Sequence, residues 1–171
     1  VIYGERDNVL RGVDLRATIM QMAKDTVIES VEKYIDVKPR NYFKYFNSLY
    51  SAFMPDGTLL MPDIANMTRD EVIDNTMEIV KRVYELKMMM VPDYELAQQE
   101  KDILLEVVDT YWVDHIDLMD QMRQSVGLVS VAQKDPVKEY TIEGYKMFES
   151  LNRKIRRETL KFVFTFDEED E

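Results

Sequence analysis

Cysteine is absent from these 171 residues, which excludes disulfides, thiol catalysis and thiolate metal sites together. A single histidine, His115, excludes every metal site that needs two. Glycine and proline number only five each, so few turns and long helices are expected. Basic residues are outnumbered, 22 Lys and Arg against 33 Asp and Glu, a net charge of −11. Such an acidic chain is a poor partner for phosphate backbones, and nucleic acid is not expected as a ligand. No apolar run approaches the roughly 20 residues a membrane helix requires. Glu5, Arg6 and Asp7 precede any apolar block, so the N-terminal residues do not read as a signal peptide. The lack of cysteine fits a reducing compartment.

Catalytic motifs are missing as well. There is no G-x-x-x-x-G-K-[ST] loop and no G-x-G-x-x-G to cradle phosphates. A di-iron bundle needs two Glu-x-x-His pairs, which one histidine forbids. No calcium loop and no G-x-S-x-G elbow occur. Carboxylate pairs abound, as 33 acids in a helical chain make inevitable. The chain alone does not read as an enzyme.

What is present is helical periodicity. At 171 residues, one domain or two small helical ones can bury a sizeable core, and 46% hydrophobic residues suit a folded chain. Leu15, Ile19, Met22, Ala23, Val27, Val31 and Tyr34 recur at three- and four-residue steps, one apolar stripe behind an expected Asp14 cap. Pro39 ends it. Tyr42, Phe43, Tyr45, Phe46, Tyr50 and Phe53 crowd a short helix and read as a small satellite core, with an aromatic peptide groove as the alternative. Pro55-Asp56-Gly57 reads as a turn. Thr68 and Glu71 form a capping box for the next helix, which must stop near Val91 because Pro92 follows. Met88, Met89 and Met90 cover more than one face at its end, the pattern of a contact with a neighbouring helix or an absent domain.

From Pro92 no breaker appears until Gly127. At about 1.5 Å per residue that helix is on the order of 50 Å long. Leu104, Val108, Tyr111, Trp112, His115, Leu118 and Met122 are expected on its seam, with His115 a hydrogen-bonded core histidine served by Asp109, Asp114 or Asp117. Residues 127–135 read as a loop, and Asp135-Pro136 as a helix restart. Gly144 and Phe148 then face the seam from the second helix, Gly144 admitting a close approach. Together the two helices form a long antiparallel hairpin. Phe162, Phe164 and Phe166 alternate, which suggests a short extended end or a frayed helix. Arg153, Lys154, Arg156, Arg157 and Lys161 read as a solvated face balanced by acids, with an anionic membrane surface or a partner as the alternative contact.

The run from Leu105 to Gln124 closely resembles the first finger helix of SecA, the ATP-driven motor of bacterial preprotein export. Ala132 to Pro136, Glu139-Tyr140, Glu143-Gly144-Tyr145 and Met147-Phe148 continue the resemblance, while Val1-Ile2-Tyr3, Arg6 and Asp14-Leu15-Arg16 look like the later part of the family's scaffold helix. The resemblance implies an all-α fold with a scaffold helix portion at 1–37, a helical wing at 38–91, a two-helix finger at 92–166 and an acidic tail at 167–171. It implies a substrate-handling arm of an export motor, inactive as an ATPase alone. Its partners would be a SecYEG-like channel, preprotein substrates and the motor domains of the same parent chain, in which ATP and magnesium would bind. This region would hold no cofactor and no metal. The location implied is cytoplasmic, with peripheral attachment to the inner face of the membrane. The tip residues Gly127, Leu128, Val129, Ser130, Val131, Ala132 and Gln133 would contact the polypeptide and the channel. Here the chain departs from the pattern: Val129, Ser130 and Val131 stand where the family has Arg, Gly and Tyr, and Ser125 stands where it has Gly. That departure suits an accessory, second SecA. The family's cysteine-rich zinc tail has no counterpart in the sequence. A first residue of Val already in helical pattern fits a piece of a longer chain; a freestanding helical adaptor with the same hairpin is the other reading.

Overall fold

The computed structural model describes residues 15–53, 63–131 and 136–164. Among them are five helices and no strand: α1 (Arg16–Tyr34), α2 (Tyr42–Phe53), α3 (Arg69–Met90), α4 (Asp93–Val131) and α5 (Pro136–Val163). The all-α expectation therefore holds.

Helix α1 buries Ile19, Met22, Ala23, Val27 and Val31, the stripe its sequence spacing marks. Leu15 takes the N-cap position with no side-chain cap, and Asp14 lies outside the described residues, as do Pro55, Asp56 and Gly57. Helix α3 starts on the capping box: the Thr68 hydroxyl accepts from the Glu71 N–H at 3.2 Å, and the Thr68 N–H donates to Glu71 Oε2 at 3.1 Å. It ends at Met90, with Val91 extended before Pro92.

The aromatics of α2 are not a satellite. Tyr45, Leu49 and Phe53, spaced by one turn, belong to the same buried cluster as Ile19, Val27 and Val31 of α1 and Val80 of α3. The reason is position: α2 packs on both α1 and α5, so its apolar stripe meets the main core directly. The Tyr45 hydroxyl is paired there with Thr76 Oγ1 at 2.6 Å, and burial raises its pKa. Phe43, on the opposite face, is exposed.

The chain end is not extended either. Helix α5 runs to Val163, and Phe164 is buried, its ring edge-on to Phe53 at 5.1 Å. The alternation had put Phe162 and Phe164 alike; helical spacing separates them, leaving Phe162 exposed. Phe166 lies outside the described residues.

Helix α1 is the hub. It packs on α2, α3 and α5, and two arginines of those neighbours pair with acids on it or just beyond its end. Arg69, the first residue of α3, reaches Asp36 at 3.0 Å and Glu32 at 3.5 Å. Arg156 of α5 pairs with Glu29. These exposed pairs contribute little energy and mainly select orientation.

Candidate functional site: the helical hairpin and its root

Helix α4 has 39 residues and α5 has 28, so α4 is roughly 58 Å long at 1.5 Å per residue. The two run antiparallel. His115 faces Phe148, and Met119 and Met122 face Gly144. Of the residues expected on the seam, Leu104, Val108, His115 and Met122 are buried, and Tyr111, Trp112, Gly144 and Phe148 are half-buried.

Leu118 is different. It is 40% exposed and does not belong to the buried seam. Near the root, α4 buries Leu96, Glu100, Leu104, Val107 and Val108 on successive turns. Beyond Val108 only His115 and Met122 are buried among the described side chains of α4. Helix α4 packs chiefly on α5, and away from the bundle one neighbour covers only a narrow strip. Spacing alone does not reveal how many neighbours a helix has.

The expected loop at 127–135 does not begin at Gly127, and residues 132–135 lie outside the described residues. Helix α4 continues through Gly127, Leu128, Val129, Ser130 and Val131, and α5 begins at Pro136. Gly127 is thus a helical residue, a tolerated cost of about 1 kcal/mol against Ala rather than a stop. Ala132 and Gln133 lie outside the described residues.

Gly144 is not needed for closeness. A Cβ placed there would meet the methyl ends of Met119 and Met122 at 3.6 and 3.7 Å, ordinary contact distances.

His115 sits among rings, 5.5 Å from Trp112 and 6.3 Å from Phe148. Asp109, Asp114 and Asp117 are exposed. Burial lowers the His115 pKa below its ordinary 6.5, so the imidazole is neutral at pH 7.

The basic run of α5 is partly balanced, as its solvated reading requires. Arg153 lies 3.9 Å from Glu149, and Arg156 is paired with Glu29.

At the root lies a group that the sequence reading missed. Lys87 and Glu100 are buried, at 6% and 2% exposure. Tyr84 donates to Glu100 Oε1, and Lys87 Nζ donates to the carbonyl of Val163. The signal was present. Val80, Val83, Tyr84 and Lys87 keep the spacing of a buried stripe, as do Leu96, Glu100 and Leu104. A charge in phase with apolar neighbours marks a buried polar contact.

The geometry defines a class: an all-helical module in which a short bundle anchors a long two-helix arm. The chain belongs to the SecA wing and scaffold family, since the model described as "SecA Wing and Scaffold domain" matches residues 1–167. It is 50% identical to protein translocase subunit SecA 2 of Clostridioides difficile strain 630, over 98% of this chain and 21% of that protein. It is 36% identical to SecA 1 of the same strain, over 96% of this chain and 18% of that protein. With SecA of Clostridium beijerinckii it shares 34% identity, over 96% of this chain and 20% of the relative. The chain thus spans about a fifth of the length of these relatives. Among the described residues no helix is long and apolar enough to cross a membrane.

Proposed function

We propose that this chain is the substrate-handling arm of a SecA-type protein translocase. ATP and magnesium would bind in motor domains outside these residues, and the arm would hydrolyse no ATP by itself. The α4–α5 hairpin would be the finger, α2 and α3 the wing, and α1 the end of the scaffold helix. The partners would be a membrane channel of the SecYEG kind and unfolded preproteins, met at the cytoplasmic face of the membrane.

The observation that supports this most is the hairpin itself. A 39-residue helix, paired antiparallel with a second and buried at one end, would carry a displacement of its root to its far end, since its backbone is hydrogen-bonded turn to turn. A loop of equal reach dissipates such force as entropy. In the sequence its distal end carries Val129 and Val131, apolar residues that would suit a contact tolerant of passing sequence.

The gap between 50% identity to SecA 2 and 36% to SecA 1 of one organism supports an accessory motor over a housekeeping one. The valines and serine at the tip agree with that reading.

The test is enzymatic and comparative. The full-length protein should hydrolyse ATP with magnesium, and faster in the presence of channel-containing vesicles and preprotein. This chain alone should hydrolyse none. Hydrolysis by this chain, or a full-length protein indifferent to preprotein, contradicts the proposal.

A further inference from the structure

Each helix at the point where the hairpin leaves the bundle buries a polar side chain: Lys87 on α3, Glu100 on α4 and Thr159 on α5. The Tyr84 hydroxyl of α3 donates to Glu100 of α4. One turn after Thr159, the carbonyl of Val163 accepts from Lys87 Nζ. Helix ends leave their last carbonyls without partners inside the helix and carry partial negative charge. The ammonium of Lys87 supplies both a donor and an opposite charge, so the C-terminus of α5 is capped by a residue 76 positions earlier. Beside it, the Phe164 ring contacts Tyr84 at 6.1 Å and Phe53 at 5.1 Å. The last two turns of α3 therefore hold both hairpin helices at the same level.

Apolar packing alone would hold these helices together, but it is non-directional. Hydrogen bonds have strict geometry, and a buried one resists rotation because its alternative is an unpaired group. We propose that Lys87, with Tyr84, is a positioning residue: it fixes the angle at which α4 and α5 leave α3, across the turn at Val91 and Pro92. Glu100 to Val131 spans 131 − 100 = 31 residues, about 46 Å at 1.5 Å per residue. One degree of rotation at the root then moves the tip by roughly 0.8 Å. Without the joint, wing motion is lost at the Val91–Pro92 turn; with it, that motion reaches the tip. This mechanical consequence rests on the proposed translocase role, whereas the joint itself does not.

The chain contains no cysteine, so Glu78→Cys and Val113→Cys place two spin labels at exposed sites on α3 and α4 with no background. With the native joint, pulsed dipolar spectroscopy should give one narrow distance distribution. In Lys87→Met and in Tyr84→Phe it should broaden or shift, with helix content retained. Amide exchange should rise about tenfold at Leu160 to Phe164 while α1 is unchanged. A native distribution in both variants overturns the proposal. Exchange rising equally throughout α1 also overturns it, since that marks general destabilisation. Should Lys87→Met fail to fold, Tyr84→Phe decides by the same criteria. Every readout is made on this chain alone, so the outcome is independent of whether the full-length protein exports anything.

Discussion

Lys87 of α3 donates to the main-chain carbonyl of Val163, closing a link across 76 residues between the end of one helix and the end of another. The link adds a directional contact at the hairpin root to the apolar packing that already joins α5 to α1 and α2.

Burial along α4 falls off with distance from that root, and two leucines measure it. Leu104 is 1% exposed, so Leu104→Ala should cost about 2–5 kcal/mol in urea unfolding. Leu118 is 40% exposed, and Leu118→Ala should cost under about 1 kcal/mol. Equal losses at the two positions contradict the described seam.

The capping box at the start of α3 gives a second expectation. Thr68→Ala removes the acceptor for the Glu71 N–H and should cost about 1 kcal/mol. Thr68→Asp, which keeps an acceptor beside a helix N-terminus, should restore most of it. Calorimetric unfolding of the three proteins checks the order.

Gly144 offers a stabilising change. Its Cβ space is bounded by flexible methionine ends at ordinary distances, and helix interiors favour Ala over Gly by about 0.5–1 kcal/mol. Gly144→Ala should therefore raise the thermal midpoint. A lowered midpoint shows that α4 and α5 lie closer than described.

His115 sets a pH dependence. Burial lowers its pKa in the folded chain below 6.5, so the unfolded chain takes up the proton first. Stability contributed by the neutral ring is intact above about 6.5 and is lost as pH falls from there to the lowered folded value. His115→Phe removes this contribution. Between about pH 7.5 and 5.5, the native protein should lose more thermal stability than the variant. Equal losses mean that the ring is not shielded from water.

How much of this was legible in the sequence follows from neighbour number. Helix α1 and the Thr68 box were readable because a one-sided stripe and a local hydrogen bond depend on short spacing. The place of Tyr45 and Phe53 in the main core was not, because it depends on α5 arriving beside α2 from about a hundred residues away. Leu118 misled for a related reason: its phase fits the seam, but the helix opposite is a single narrow cover. Gly127 misled because a single glycine inside a helix costs only about 1 kcal/mol against Ala, too little to end a 39-residue helix. Lys87 and Glu100 were overlooked because a charge was read by type rather than by its phase among apolar residues.

In the proposed role, the tip of this hairpin would meet a moving polypeptide. The most direct measurement places a photo-crosslinking amino acid at Val131 of the full-length protein, stalls a preprotein midway through the channel, and irradiates. A crosslink to the preprotein is expected from Val131 and none from the equivalent probe at Lys154 near the root. A crosslink from Lys154 with none from Val131 would contradict a substrate contact at the tip.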